Sequence, residues 1–580
     1  MSWLTYFLPA AVLLLIVLFY MGTPSLRRAD IECGDGKGFC RLDCLLLALI
    51  VILYAFPAFY NLGDTSAPDS FRHFEPMESI TLDLGKECTV NEIFFYPGLN
   101  TGSYIVEYSA DGAEFRAAAD IKQDYISLFK WSNAEFLDGS ELSTRYIRIT
   151  ADSDMYMGEL SIITDNGRYV GSGELFDEQE LVPEYMTYLN STYFDEIYHA
   201  RTAYENIEGI YPYEVSHPPL GKLIIALGIE AFGMNPFGWR FSGALFGVLM
   251  LPLMYVLLKK MFGGTAVPAC GTAIMAADFM HFTQTRIATI DTYAVFFILL
   301  MYLFMYLFVS GGKLRHLALS GIFFGIGAAC KWTCFYAGAG LAVIWAIYWL
   351  RNPDIKKFLK NCLFCVCFFV IIPAAIYYVS YFPYAQAKGM SGIGMFFTGD
   401  YAKIVLDNQN FMFSYHSGVH SEHPYSSRWY QWMLNIRPIL YYLQYYSDGT
   451  RSSFGAFLNP VLCWGGLIAL GMNVYLALFR KDRMSEFIVI GYLAQLLPWV
   501  FITRTTFEYH YFPASVFLLL AMCRIFALTV KARKDWRTSV FGLTGTAVAL
   551  FLLFYPVLSG KTVDGAIASG LLKWLPTWPF

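Results

Sequence analysis

Apolar residues in this chain come in long runs, and a run of roughly 20 is what a helix needs to cross a bilayer. Such runs lie at about 3–21, 43–60, 239–258, 265–282, 291–310, 316–331, 333–350, 361–383, 457–479, 485–502, 511–529 and 538–556. The divisions at 282/291 and 331/333 are the weakest of the set. Charged residues make up 15% of the chain, well under the roughly one quarter usual for a soluble domain. The pattern predicts a polytopic α-helical membrane protein with about twelve transmembrane helices.

Lys and Arg in short loops set orientation. Arg27, Arg28, Lys37 and Arg41 follow the first span, Lys259 and Lys260 the third, Lys313 and Arg315 the fifth. Arg351, Lys356, Lys357 and Lys360 follow the seventh, Arg480, Lys481 and Arg483 the ninth, and Lys531, Arg533, Lys534 and Arg537 the eleventh. These loops alternate in register and fall on one side, the cytoplasm, which puts both termini outside. The first span has no basic n-region and no small-residue cleavage site, so it reads as a retained helix. A net charge of −5, with no basic stripe outside the cytoplasmic loops, gives no sign of nucleic-acid binding. Cys88 is the one cysteine clearly outside, so no internal disulfide framework is expected. Cys33, Cys40 and Cys44 have poor zinc spacing and read as reduced thiols.

Residues 61–192 break the membrane pattern. Short alternating segments occur at 79–85, 91–98, 104–112, 144–150 and 158–163, with turn signals between them. This is the rhythm of an external antiparallel β-sandwich. Ser109–Gly112 reads as its hairpin turn, because Asp-Gly suits positive φ. The motifs LDLG, YIVEYSADGAEF, TRYIRI and GEL resemble the discoidin (F5/8 type C) family over about residues 65–165. That resemblance implies a glycan or protein ligand for this domain; a spacer or docking module is the alternative.

Polar residues then gather at the external ends of the spans. Asp195 and Glu196 are adjacent acids, followed by HARTAYENI, read as a short amphipathic surface helix. His217-Pro218-Pro219 opens a further helix, GKLIIALG, whose free N–H groups favour an anion, with His217 and Lys222 reinforcing this. The stretch HSGVHSEHPYSSRW (416–429) carries His416, His420, His423 and Glu422, and its spacing leaves a zinc site open beside a binding or packing role. His316 is the one of nine histidines that falls in a cytoplasmic loop. Ionisable residues collected at one face of a helical bundle imply a shared site.

The order of these motifs resembles the protein O-mannosyltransferase family, polytopic enzymes of the GT-C glycosyltransferase class. The Asp195-Glu196 pair and HPPLGK (217–222) match its first external loop. TRIATID (with Arg286 and Asp291), CKWTCFY (with Lys331 and Trp332), YHSGVHSEHPYSSRWYQWMLNIRP, LNPVLCWGG, PWVFITRTTFEYHYFP, FYPVLSG and LPTW follow in order. The resemblance covers nearly all of 193–580. It departs from the family in two ways: residues 384–456 are too short for the MIR modules of eukaryotic members, which points to a bacterial type, and an extra N-terminal span and the β insert precede the core.

The organisation that follows is two N-terminal transmembrane helices (1–60), the discoidin-like insert (61–170) and a first catalytic external loop (171–238). Transmembrane helices (239–383), an external loop with HPYSSRW (384–456) and C-terminal transmembrane helices (457–580) complete it. The resemblance implies a cell-membrane enzyme moving mannose from polyprenyl-phosphate mannose to Ser or Thr of exported proteins, with inversion, on the extracytoplasmic face. It assigns Asp195 as base and Glu196 as its orienting partner. It assigns His217, Lys222, Arg286, Asp291, Lys331, His416, His423, Arg428, Arg504 and His510 to substrate. No cofactor is firmly implied; a divalent ion at Asp195 and Asp291 stays open. The partners implied are the lipid-linked sugar, a Ser/Thr-containing protein and membrane lipid. A GT-C enzyme acting on a lipid or cell-wall glycan is the nearest rival. A transporter or glycan receptor is the next, but no inverted repeat is visible.

Overall fold

The computed structural model describes residues 2–27, 38–137, 142–418 and 422–580. It divides into two compact units. The first comprises Met1–Tyr60, Gly209–Ile224 and Ser242–Phe580; the second comprises Asn61–Glu208 and Ile225–Phe241.

In the first unit every apolar run read from the sequence is helical. Among the described residues, nine helices are both long and apolar enough to cross a membrane. The difference from twelve has local causes. Within 265–282 the helix Ala266–Ala276 stops, and Asp278 caps a separate short helix, Phe279–Thr285, by accepting the His281 N–H at 3.0 Å. Leu314–Cys330 is 17 residues long. Arg483–Val500 carries Arg483 and Glu486 in its first turn. Phe512–Ala532 is the most enclosed of these nine and packs against Pro460–Arg480 and Arg483–Val500. Small residues allow such close approach in a bilayer; a Cβ on Gly321 would run into the Phe368 carbonyl.

Two buried ion pairs lie near the basic ends of the spans. Lys259 meets Asp43 at 2.7 Å, where the Tyr255 hydroxyl also donates at 2.7 Å. Arg524 meets Asp482 at 2.8 Å. A single charge buried there would be costly, so each is paired. Arg28, Cys33 and Lys37 of the first basic loop lie outside the described residues.

Among its described residues the second unit holds eight strands: β1 (Arg72–Phe74), β2 (Ser79–Pro97), β3 (Gly102–Ser109), β4 (Arg116–Gln123), β5 (Ser132–Asn133), β6 (Leu142–Ala151), β7 (Met155–Thr164) and β8 (Gly167–Arg168). All pairings are antiparallel, in the order β1-β7-β2-β6-β3-β4, with β5 on β2 and β8 on β7. Phe74, Phe95, Tyr104, Ala119, Ile147 and Met157, from six strands, share one core, so the sheet curls around it. The segments 79–85 and 91–98, read as two strands, are one long strand. Gly85, at φ 82, absorbs the break as a bulge while the register shifts between Asp83 and Cys88. The hairpin turn lies where expected: Gly112 has φ 76 and its N–H donates to the Ser109 hydroxyl at 2.9 Å.

The opposite face of this sheet buries Phe94 and Tyr96 against Phe129, Trp131, Tyr204 and Met234. Tyr204 belongs to the helix Glu196–Ile207. That helix was read as a surface element, yet Glu196, His199, Ala200, Arg201, Thr202, Ala203 and Glu205 are buried. The sequence pattern hides this because its inward polar groups pair with one another, as Arg201 and Glu205 do at 2.7 Å.

Candidate functional site

Asp195 and Glu196 begin the helix Glu196–Ile207, and the backbone before them is strained: Phe194 has φ 49. A non-glycine residue there costs on the order of 1–3 kcal/mol and persists only where the surroundings enforce it. Glu196 supplies that enforcement. Its carboxylate is fully buried and takes Arg240 Nε at 2.7 Å, Arg240 Nη2 at 2.8 Å and the Trp239 indole N–H at 3.1 Å. Arg240 also donates to the carbonyls of Leu62 at 2.9 Å and Ser191 at 2.8 Å. The Glu196 oxygens are thus directed at Arg240 and Trp239, and the residue acts as an anchor for the turn. Asp195 is half-buried, and its side chain does not cap the helix it starts.

A second set of predicted residues comes together in the first unit. Lys331 donates to both oxygens of Asp291 at 2.7 Å, and both residues are buried. Lys222, also buried, pairs with the Glu214 carboxylate and donates to the Glu214 carbonyl at 2.6 Å. Glu214 had no role in the sequence reading, which gave Lys222 to an incoming anion. It accepts the Ser216 N–H at 2.7 Å and lies 3.6 Å from His217 Nδ1. The His217 and His416 rings meet edge to face at 5.1 Å, and His416 Nε2 is 2.8 Å from the Ser216 carbonyl.

Burial, above all, holds His217 below the usual imidazole range, against the pull of Glu214. His416 is pushed down to about 3 by burial and then by the fields of His217, Arg504 and Lys331. Those fields mark one electrostatic neighbourhood. Lys222 is paired with Glu214 and Lys331 with Asp291, so with both imidazoles neutral the Arg504 cation is the surplus charge felt at His416. Anions are stabilised by such preset charge in a low-dielectric setting.

A hydrogen-bond relay fixes this pocket. Trp332 Nε1 donates to the Tyr377 hydroxyl at 3.0 Å, which donates to Gln409 Oε1 at 2.7 Å. Gln409 Nε2 donates to the Tyr381 hydroxyl at 2.8 Å, which donates to Asn408 Oδ1 at 2.7 Å. Asn408 Nδ2 closes the relay on the Val215 carbonyl at 2.8 Å.

The segment 384–456 was read as an external loop, but it contains the 20-residue helix Gly399–Gly418, with His416 in its last turn. His416 and His423 have different partners: His423 Nδ1 accepts the Tyr425 N–H at 3.2 Å, and its ring meets Phe507 edge-on at 4.8 Å. His420 lies outside the described residues. Among the described residues, the one group of three acids close enough to share an ion is Glu159, Asp177 and Glu178 in the β unit, where Glu159 is already engaged by Gln179 and the Glu178 N–H. Arg428 and Arg504 line one polar cavity of about 210 Å³ with Glu422, Gln431 and Thr505. His510 is buried in an aromatic stack, 4.4 Å from the centroids of Trp499 and Tyr509. Arg286 sits apart in role: its guanidinium takes the carbonyls of Pro57 and Tyr60 at the end of Arg41–Phe59.

Two expected outcomes follow from this geometry. A double-mutant cycle with Glu214→Gln and Lys222→Met is expected to return a coupling of about 1–3 kcal/mol in unfolding free energy; a coupling near zero would mean that the buried pair does not act as a unit. For the imidazoles, the folded pKa lies below the unfolded one, so lowering the pH protonates the unfolded chain first. Stability is therefore expected to fall as the pH drops below about 6.5, and His416→Asn should flatten that loss in thermal unfolding at pH 7.5 and pH 5. An unchanged slope in the variant would contradict the burial of a neutral His416.

Comparison with known proteins identifies the family. Residues 216–377 match the family described as dolichyl-phosphate-mannose-protein mannosyltransferase. Residues 402–578 match the C-terminal four-transmembrane region of protein O-mannosyltransferase. A polyprenol-phosphate-mannose–protein mannosyltransferase of Mycobacterium tuberculosis is 25% identical over 454 residues, covering 66% of this chain and 86% of the relative. One from Mycolicibacterium smegmatis is 25% identical over 425 residues, covering 63% and 82%. The fold is shared with the S. cerevisiae protein O-mannosyltransferase Pmt1–Pmt2 complex bound to the sugar donor, at a TM-score of 0.59 and 14% identity over 67% of this chain and 89% of that one. Two matched regions that together span more than half of the sequence place this chain in the protein O-mannosyltransferase family.

Proposed function

We propose that this protein transfers mannose from polyprenyl-phosphate mannose to Ser or Thr hydroxyls of exported proteins, on the extracytoplasmic face of the cell membrane. The observation that carries the reading is the cluster of buried, acid-held Lys222 and Lys331 with His217 and His416, whose rings meet at 5.1 Å, and with the Arg504 charge felt at His416. It suits a phosphate leaving group. The names of the relatives supply the sugar and the acceptor class. Orientation rests on the excess of Lys and Arg in one set of loops.

In this reading the acceptor hydroxyl gives its proton to the Asp195 carboxylate as its oxygen attacks the anomeric carbon. The bond from that carbon to the phosphate oxygen breaks, and polyprenyl phosphate leaves with the electron pair. Lys331, held by Asp291, and Lys222, held by Glu214, meet the growing charge, with Arg504 as a further donor and the neutral His217 and His416 rings packed beside them. Arg428 contributes to the polar cavity beside Arg504, and His423 and His510 pack its aromatic surroundings. Glu196 keeps the Asp195 turn in place through Arg240. The β unit serves the same end, because its outer face packs on the helix that Asp195 begins. Arg286 secures the end of the second helix, and substrate contact is not needed to explain its partners.

The test is acceptor choice. The full chain, reconstituted in vesicles with labelled polyprenyl-phosphate mannose, is offered a Ser/Thr-rich peptide, the same peptide with alanines, and a lipid or cell-wall glycan extract. Label in the Ser/Thr peptide alone is expected. Label in the lipid or glycan fraction, with none in peptide, would overturn the protein-acceptor reading in favour of another GT-C activity.

A further inference from the structure

A second cavity, of about 610 Å³, opens between the helices Asp291–Gly311, Thr333–Arg351 and Arg483–Val500. That volume falls within the range of about 300–1,000 Å³ typical of ligand pockets. It is not part of the site above: it lies at the opposite ends of the first two helices, where the basic loops begin. Its wall is apolar on one side, formed by Ile344, Ile347, Phe487 and Ile490.

Its rim is charged. Arg351 pairs with Glu486 at 2.6 Å and 3.0 Å, so this cation is largely neutralised. Arg483 also lines the cavity. Its side chain is exposed, and its guanidinium makes no ion pair or hydrogen bond to a described residue. Lys313, Arg315 and Lys356 stand at the starts of the following helices, Leu314–Cys330 and Ile355–Cys365, and add to the positive field, while Lys357 beside them is paired with Asp354 at 3.2 Å. An apolar wall inside the membrane-spanning segments, topped by an unpaired guanidinium, matches a molecule with hydrocarbon chains and an anionic phosphate head. Arginine fits phosphate oxygens through paired N–H donors, and basic pockets between membrane helices favour acidic lipids.

We propose that this cavity binds an anionic phospholipid, with Arg483 on the headgroup phosphate and the start of an acyl chain against Ile347 and Phe487. The site is independent of sugar transfer and does not rest on the transferase reading.

The test uses the full chain in detergent, with native mass spectrometry and thermal unfolding, and with phosphatidylglycerol, phosphatidylcholine and glycerol phosphate as probes. Wild type is expected to retain phosphatidylglycerol at least about tenfold better than phosphatidylcholine, the scale of one charge-assisted hydrogen-bond pair. Arg483→Ala is expected to remove most of that preference by loss of the head contact. Ile347→Trp is expected to do the same by filling the chain cleft, and Arg483→Lys to keep part of it. Three results would each overturn the proposal: equal retention of the two lipids by wild type, preference unchanged in both Arg483→Ala and Ile347→Trp, or stabilisation by glycerol phosphate equal to that by the lipid. The last would assign a headgroup-only anion site.

Discussion

Arg240→Met is expected to destabilise the protein by about 3–5 kcal/mol, the cost of leaving one member of a buried ion pair uncompensated. Glu196 and Arg240 have no exposed side-chain surface. Removing the guanidinium strands the Glu196 carboxylate, and it also strips donors from the Leu62 and Ser191 carbonyls. Glu196→Gln should cost less, because the amide can still accept from Trp239. The double variant Glu196→Gln/Arg240→Met should recover part of the loss, since it no longer buries a lone charge. Chemical or thermal unfolding of the purified protein reads all three. An Arg240→Met variant within about 1 kcal/mol of wild type would mean that the pair is not what holds the turn. Because Phe194 sits at positive φ next to Asp195, transfer should fail along with stability, whereas the donor pocket lies in other segments of the chain.

Asp195→Asn is the complementary case, with a large effect on chemistry and little on fold. The amide is nearly isosteric but cannot take a proton at neutral pH. General-base catalysis contributes about 10²–10⁴-fold, and a loss of that size is expected in the turnover rate. Affinity for polyprenyl-phosphate mannose should hold within a few-fold, because the proposed phosphate site, Lys222, Lys331 and Arg504, does not include Asp195. The split between turnover and donor binding is the readout. A variant with more than a tenth of wild-type turnover would remove Asp195 from the role of base.

Much of this was legible before the fold. The apolar runs, the alternation of basic loops and the Pro-Pro helix start are local signals, and each corresponds to a helix or a helix end. The Asp-Gly hairpin was local as well. The β2 misreading was a matter of scale: Gly85 looks like a turn in sequence, but neighbouring strands carry the chain through it as a bulge. What the sequence could not convey were partners far apart along the chain. Glu196 and Arg240 are 44 residues apart, and nothing between them signals the pair. Glu214 resembles a solvent-exposed loop acid until Lys222 folds back on it. The Tyr377–Gln409–Tyr381–Asn408 relay joins tyrosines of the predicted span 361–383 to side chains of the segment read as a loop, a pairing that no local pattern signals. The helix Gly399–Gly418 was hidden by its modest apolar content; its inward face is a short apolar stripe, Tyr401, Ile404, Val405 and Met412, with Asn408 hydrogen-bonded among them.

The anchoring of Glu196 bears on stereochemistry. A double displacement needs a nucleophilic carboxylate as well as an acid or base, by analogy with retaining glycosidases. With Glu196 tied to Arg240 and Trp239, the proposed base Asp195 is the one carboxylate of the pair left for chemistry, and a single displacement is expected. The most direct measurement is the anomeric configuration of the first product. Carbon-labelled polyprenyl-phosphate mannose is incubated with the reconstituted protein and a Ser/Thr peptide, and the glycopeptide is read by NMR. The account predicts a configuration opposite to that of the donor. A product that keeps the donor's configuration would contradict the single-base mechanism and the role given to Glu196.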